Sequence, residues 1–533
     1  MANNDQRGWM TAAVARGAMS RREFIQLSLA AGVSLAAANG ALAAGAATPP
    51  LPKKGGTFKA AIAQGGAKDS FDPATWADQF MTDAGQIVGN GLVTIDTKNA
   101  TQPDLAESYE PSDGGKRWAF KLRKGVTFHN GKSLTADDVV ASFNRHRDPK
   151  VKSVIKQLLA GIADIKADGA ETVVFTLTEA NAEFPFAASD PHLTIFAAKD
   201  GQPDFALGIG TGPFVLDKFQ PGAKLAAHRN TNYHRSEGPW FDEVELQSIP
   251  DAGARQNAVL GGQVHYADRA DPRTAAQIKR RKDLRVTEVT GFGHYVAPMN
   301  CNAKPFDDVN VRQALKYAIN RDEMVKRILS GQGTPGDDNP IAPAIKYATA
   351  PEPKHQYDPD KSKALLKAVG LSNLKVDLSA SDAAFPGAVD AAQLIKASAR
   401  KAGIEINVVK EAAETYWDLV WMRKPWCLSY WSGRPSADMM FQAAYAANAA
   451  WNDTSWSNTR FNELLKSARA EPDDAKRAAK YAEMQQILHD DGGAVVLMFN
   501  TFVSIHSAKA AHGDLNSNAD HDGGQIYQRW WLA

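Results

Sequence analysis

Segments with a helical period alternate with short β-branched runs along most of this chain, and that interleaving restricts it to an α/β architecture. Ala314, Leu315, Ala318 and Ile319 recur at three- and four-residue spacings, which predicts a helix over 311–329 that stops at Gly331. Residues 360–369, 389–401, 461–470 and 474–489 carry the same period. Between them, 374–378 and 404–409 read as strands, and 495–499 and 502–505 as two late strands returning the chain to a core. Earlier, 56–62 predicts a first strand, 87–95 another apolar element, and 118–122 and 172–177 sheet surfaces. After Ser133, Thr135 is placed to accept backbone amides, with Asp137 and Asp138 favouring the positive end of a helix. No tandem repeat points to a solenoid.

A chain of 533 residues has room for two or three such units. Sixty-one Lys and Arg against sixty Asp and Glu leave a formal charge of +1. That balance offers no concentrated positive field for nucleic acid or an acidic bilayer. Arg7, Arg16, Arg21 and Arg22 precede an apolar run from Ile25 to Ala38, followed by Ala41-Leu42-Ala43. Positive flank, short apolar core and small-residue exit predict a signal peptide over 1–43. Ser20-Arg21-Arg22-Glu23-Phe24-Ile25-Gln26 resembles a twin-arginine export signal, with Met19 as an alternative start. No Cys ends this signal and no later run of eighteen apolar residues follows, so a soluble protein of the periplasm without a lipid anchor is expected. The Pro- and Gly-rich stretch 48–56 reads as an extended leader. Cys301 and Cys427 are the two cysteines; one disulfide and two free thiols are both open.

Ordered blocks then carry a family resemblance. Leu105-Ala106-Glu107-Ser108-Tyr109 is followed by Gly115 to Arg123, by Gly125-Val126-Thr127-Phe128-His129-Asn130-Gly131, and by Leu134 to Val139. Gly210-Thr211-Gly212-Pro213-Phe214 leads to Arg229-Asn230-Thr231-Asn232-Tyr233, and a third block runs from Pro305 to Leu315. Together they resemble the extracellular solute-binding proteins of the peptide, opine and nickel import family. The resemblance implies a two-lobed periplasmic-binding-protein-like fold of the large peptide-binding type. It places residues 44–76, 209–301 and 495–533 in a discontinuous first lobe, 77–208 in an additional subdomain of that lobe, and 302–494 in the second lobe. His129 in its compact turn reads as a packing residue, and Arg312 as a helix anchor.

The same resemblance makes Trp426 to Asp438 a ligand-facing strand and loop. Asp438 is the expected partner of a ligand ammonium, and Arg434 can pair a carboxylate through two hydrogen bonds. The pair suggests a short peptide or related zwitterion; a mutual Arg434–Asp438 contact is the structural alternative. Trp426, Tyr430 and Trp431 can pack on aliphatic surface or a cation, although strand alternation opposes Tyr430 and Trp431 facing one solute together. Trp417 and Trp421 have helix spacing suited to packing. Trp451 and Asp453 form a polar-aromatic rim candidate, and Tyr295 and Asn300 precede the expected crossover.

The twelve His residues show no metal-ligand spacing, and His228 with His234, or His506 with His512, could meet only through folding. No cofactor is expected, and a chelated nickel complex survives only as an alternative cargo. The sequence has no G-x-S-x-G elbow, H-E-x-x-H motif or phosphate loop, so binding rather than catalysis is the reading. The implied partners are a small polar ligand and a membrane permease with separate ATPase subunits, engaged by a monomer.

Overall fold

The computed structural model describes residues 51–412 and 415–533. The export signal, its cleavage point and the Met19 start lie outside the described residues. Among those residues the largest sheet has nine strands. Thr57–Ile62 sits near its middle, parallel to Glu243–Ser248 and Tyr266–Ala267. Ala60, Ala61 and Ile62 are wholly buried, as expected of a strand covered on both faces. The hairpin of Phe214–Gln220 and Lys224–Arg229 extends this side of the sheet.

Two long strands carry the other side. Leu284–Pro298 and Ala494–Ser507 run antiparallel, and each joins two separate cores. Ala494 to Phe499 are buried, Asn500-Thr501-Phe502 are half-buried, and Val503 to His506 are buried again. The polar break therefore marks where the strand leaves one core and enters the next. The sequence reading divided this stretch into two strands; backbone pairing makes it one, because Thr290 pairs Thr501 on one side and His294 pairs Phe499 on the other.

One core gathers Phe58, Phe80, Leu246, Tyr527 and Trp530 beneath the first half of the sheet. A second belongs to the four-stranded antiparallel sheet of Ala106–Ser112, Arg117–Leu122, Thr172–Leu177 and Ile162–Ala167. Phe120, Phe143, Phe175 and Phe184 meet there edge to face, the favoured aromatic geometry. The helix Ala136–Arg147 covers this core and starts in a capping box, with the Thr135 N–H bonding the Asp138 carboxylate.

Beyond the crossover, the helix expected over 311–329 is two helices, Val309–Ala318 and Arg321–Ile328. Asn320 breaks them apart by accepting the Glu323 N–H, a competing local bond that favours a new N-cap. Arg312 anchors the first, donating to Asp491 at 2.7 Å and to the Phe306 carbonyl. The parallel pair Leu374–Ala380 and Ile404–Lys410 is joined through the helix Ala388–Ala399. His129 Nε2 donates to the Gly212 carbonyl, 3.1 Å away, and packs the two glycine turns together. Cys301 and Cys427 are free thiols. No helix among the described residues is long and apolar enough to cross a membrane.

Candidate functional site

The two long strands lose register at one place. Gly291, Phe292 and Gly293 stand opposite the single residue Asn500, between the pairs Thr290–Thr501 and His294–Phe499. A bulge of this kind bends and twists a strand pair locally. Glycine is required here by space: a Cβ at Gly293 would lie 2.6 Å from Asn500 Oδ1, and one at Gly291 would lie 2.5 Å from the Phe502 ring. At this bulge the two long strands pass from one core to the next.

The short strand Ser429–Trp431 pairs with His294 to Val296, so the segment that follows it leaves directly beside the bulge. Gly433 has φ +82°, and a Cβ there would meet the Phe292 Cβ at 2.4 Å and its backbone at 2.5–2.6 Å. This close approach sets Arg434 next to the bulge. Arg434 is half-buried, and its Nη1 donates to the Gly433 carbonyl at 2.6 Å. Burial disfavours its charge, while the field of Asp190 favours it. Asp190 is itself engaged with His192 at 2.6 Å. Nearby polar atoms lack partners: Asn500 Oδ1, His294 Nε2 and Ser429 Oγ are buried without hydrogen bonds. Orphaned groups of this sort are uncommon in a folded interior.

An aromatic surface flanks the same strand. Trp431 is buried and lies 6.3 Å, centroid to centroid, from Trp451 and 6.5 Å from Trp421. Tyr430 is 45% exposed and contacts Trp417 edge-on at 5.7 Å. Strand alternation puts Tyr430 and Trp431 on opposite faces. Trp417, whose helix spacing suggested packing, is 39% exposed, and Trp451 is 47% exposed. Asp453 accepts the Trp421 indole N–H at 3.2 Å. Burial pushes its carboxyl up to about 7, so its charge is poorly supported by the residues around it.

Other residues singled out from the sequence fall elsewhere. Asp438 lies in the first turn of the helix Ala437–Ala444, buried, with Oδ2 at 3.4 Å from the Arg469 Nε. Its electrostatic neighbours are Arg469 and Tyr481, whereas Arg434 responds to Asp190, so the mutual Arg434–Asp438 contact, the structural alternative, is not formed. The reason is local: Ser436 caps the helix by accepting the Met439 N–H, which turns Asp438 inward. Trp426 is a core residue, 1% exposed, packed 5.8 Å from Phe306. Tyr295 stacks on Phe385 at 4.1 Å and pairs across strands with Tyr430. Asn300 is a turn residue whose Oδ1 accepts the Asn302 N–H.

A seam missed at the sequence level closes the far side. The Ala182 N–H donates to the Arg469 carbonyl at 2.6 Å, and the Tyr481 hydroxyl donates to Glu183 Oε2 at 3.2 Å. Arg477 approaches Glu183 at 4.0 Å. Asn99 adds a second link, donating to the Ala344 carbonyl and to Ser517. Burial first, then the neighbouring Asp438, pushes Glu183 up to about 7; burial pushes Asp438 up to about 6. The only sequence sign of this seam is a lone Glu before an apolar Phe-Pro-Phe run.

Comparison with known proteins gives the arrangement a family. HbpA2 of Haemophilus parasuis superposes with a TM-score of 0.80 at 22% identity, over 90% of this chain and all of that one. The binding protein DppA of Helicobacter pylori, solved with the peptide STSA, superposes with a TM-score of 0.70 at 25% identity, over 90% of this chain and 98% of that one. These likenesses show a two-lobed α/β fold of the periplasmic peptide-binding type. The dipeptide-binding protein of Escherichia coli (strain K12) is 29% identical over 481 residues, 82% of this chain and 88% of that protein. The family model for bacterial extracellular solute-binding proteins, family 5 (middle region), matches residues 100–453. With two cores joined by a bulged strand pair and most of its length matched, the chain belongs to the family 5 bacterial extracellular solute-binding proteins.

Proposed function

We propose that the chain is the periplasmic binding subunit of an ATP-driven importer, and that it closes about the Gly291–Gly293 bulge on a small peptide-like solute. The lobe division read from the sequence, with 302–494 as the second lobe, belongs to this proposal. So does export through the twin-arginine route. Arg434 anchors the ligand carboxylate. It stands beside the hinge with most of its guanidinium donors uncommitted within the protein, and a bidentate carboxylate would satisfy them. That observation carries the reading. Asn500, His294 and Ser429 offer unsatisfied polar atoms for the ligand's backbone groups. Asp453, whose ionised form lacks support, is the better cation partner than Asp438, and Trp431 and Trp451 supply the apolar wall. No covalent step is assigned. Delivery follows from closure, which changes the outer face seen by the permease and its separate ATPase subunits. The similarity to a dipeptide-binding protein supports a peptide cargo.

Native mass spectrometry of protein purified from its host, followed by calorimetry with the recovered solute, tests this reading. Arg434→Ala should weaken binding by roughly 10- to 100-fold, the range for losing hydrogen bonds to a charged group. Amidating the ligand carboxylate should then cost the variant nothing further. Equal affinity of wild type and variant, or an amidated ligand bound as tightly as the free acid, rules out Arg434 as the carboxylate anchor. Replacing Arg21 and Arg22 by Lys should leave the precursor in the cytoplasm.

A further inference from the structure

The fold assembles a group of metal-ligating side chains that spacing along the chain did not reveal. Asp337 follows the short strand Gly333–Pro335, His355 precedes the helix Pro359–Ala368, and His489 lies in the last turn of the helix Asp474–Asp491. One ligand atom from each lies within 4.8 Å of the others. The two imidazoles stack face to face, centroids 3.7 Å apart and planes 6° from parallel.

Their second nitrogens are already committed. His355 Nδ1 is bonded to Asp338 at 2.6 Å, and His489 Nδ1 to Asp490 at 2.9 Å. A carboxylate behind each imidazole fixes the tautomer that leaves Nε2 as the lone-pair donor, the usual support for a metal-bound His. His489 is wholly buried, and its Nε2 has no hydrogen-bond partner; the nearest carboxylate oxygen, on Asp337, is 3.7 Å away. Asp337 is partly exposed, giving solvent a way in. We propose that Asp337, His355 and His489 form a site for a borderline divalent transition metal, with zinc as the reference ion.

The donor set decides the metal class. Two imidazole nitrogens and one carboxylate suit zinc and its neighbours, whereas magnesium and calcium require mostly oxygen ligands. Zinc–nitrogen bonds of about 2.0–2.1 Å would draw the parallel rings into a tilt so that their lone pairs converge, with solvent at the fourth position. Local charge permits this. Three acids face the imidazoles: Asp337, Asp490, and Asp338, which Arg321 also holds through two 2.8 Å hydrogen bonds. The opposing cation is Lys316, whose Nζ donates to the His489 carbonyl at 2.8 Å. The site lies apart from the solute-binding argument and does not depend on it.

Tag-free, metal-stripped, solute-free protein should be dialysed against zinc and its metal content measured by mass spectrometry, with affinity from competition calorimetry. One zinc per chain is expected, undisturbed by excess magnesium or calcium. Asp337→Asn retains an oxygen for the His355 N–H that it now accepts, and it should weaken zinc binding by about tenfold or more without unfolding the chain. His489→Gln should do the same. Zinc should raise the unfolding temperature of the wild type and not of Asp337→Asn. A wild type that takes up no stoichiometric zinc, or one matched by both variants, overturns the assignment.

Discussion

The Glu183 seam makes stability fall as pH rises through the weakly acidic range, and Glu183→Gln should abolish much of that fall. Glu183 is pushed up to about 7 from an ordinary 4.5, chiefly by burial and next by Asp438. Between those values the folded chain holds a proton that the unfolded chain has released, so stability declines with increasing pH. The contribution is fully present below about 4.5 and gone above about 7. A displacement of roughly 2.5 units corresponds to ~3 kcal/mol. Asp438 moves in the same direction, but the two acids share one repulsion and their effects do not add. An unfolding entropy near 2.1 cal/mol/K per residue, over the roughly 480 residues from Leu51 onward, makes ~3 kcal/mol equal to about 3 °C. Gln keeps an oxygen for the Tyr481 hydroxyl and removes the ionisation. Calorimetric scans should therefore show wild type losing about 3 °C more than Glu183→Gln between pH 5 and pH 8, with the variant more stable at pH 8. A variant with the same pH slope, or one less stable at pH 8, would show that Arg477 and Arg469 support the ionised acid and that the reasoning is wrong.

Three further outcomes follow from the same geometry. Gly433→Ala combines a left-handed backbone with contacts of 2.5–2.6 Å to the Phe292 main chain; it should cost more than about 2 kcal/mol in urea unfolding and alter closure measured by small-angle scattering. Arg321→Ala strands the buried Asp338 carboxylate, which also accepts the Val496 N–H, and should lower stability by roughly 3–5 kcal/mol by the same measurement. Thiol titration of the unreduced, denatured protein should count two free cysteines, with Cys427 unreactive in the native state because burial lifts its thiol to about 12.

What was legible in the sequence was local. Thr172–Leu177, the helix that follows Thr135, and the alternating pattern from Leu374 to Lys410 announce themselves because each is fixed by contacts a few residues apart. The bulged strand pair was half legible: Asn500-Thr501 interrupts an apolar run, which looked like the end of a strand. Only pairing with Leu284–Pro298, two hundred residues earlier, shows that the run continues past a bulge. Asp438 had a readable warning, since Ser436-Ala437-Asp438 is a helix-start pattern and an acid in a first turn answers first to its own helix. The pairing of Glu183 with Tyr481, and of His355 with His489, had none, because neither residue of a pair constrains the other until the chain has closed loops of more than a hundred residues; the lone Glu before Phe-Pro-Phe marks one side of the first pair without naming its partner. Binding depends on such long loops for a physical reason. A site that opens and closes must be built from parts whose contacts are not already fixed by their sequence neighbours. Family blocks therefore identify the frame, while on the proposed function ligand choice rests on single side chains, such as Arg434 beside the strand bulge.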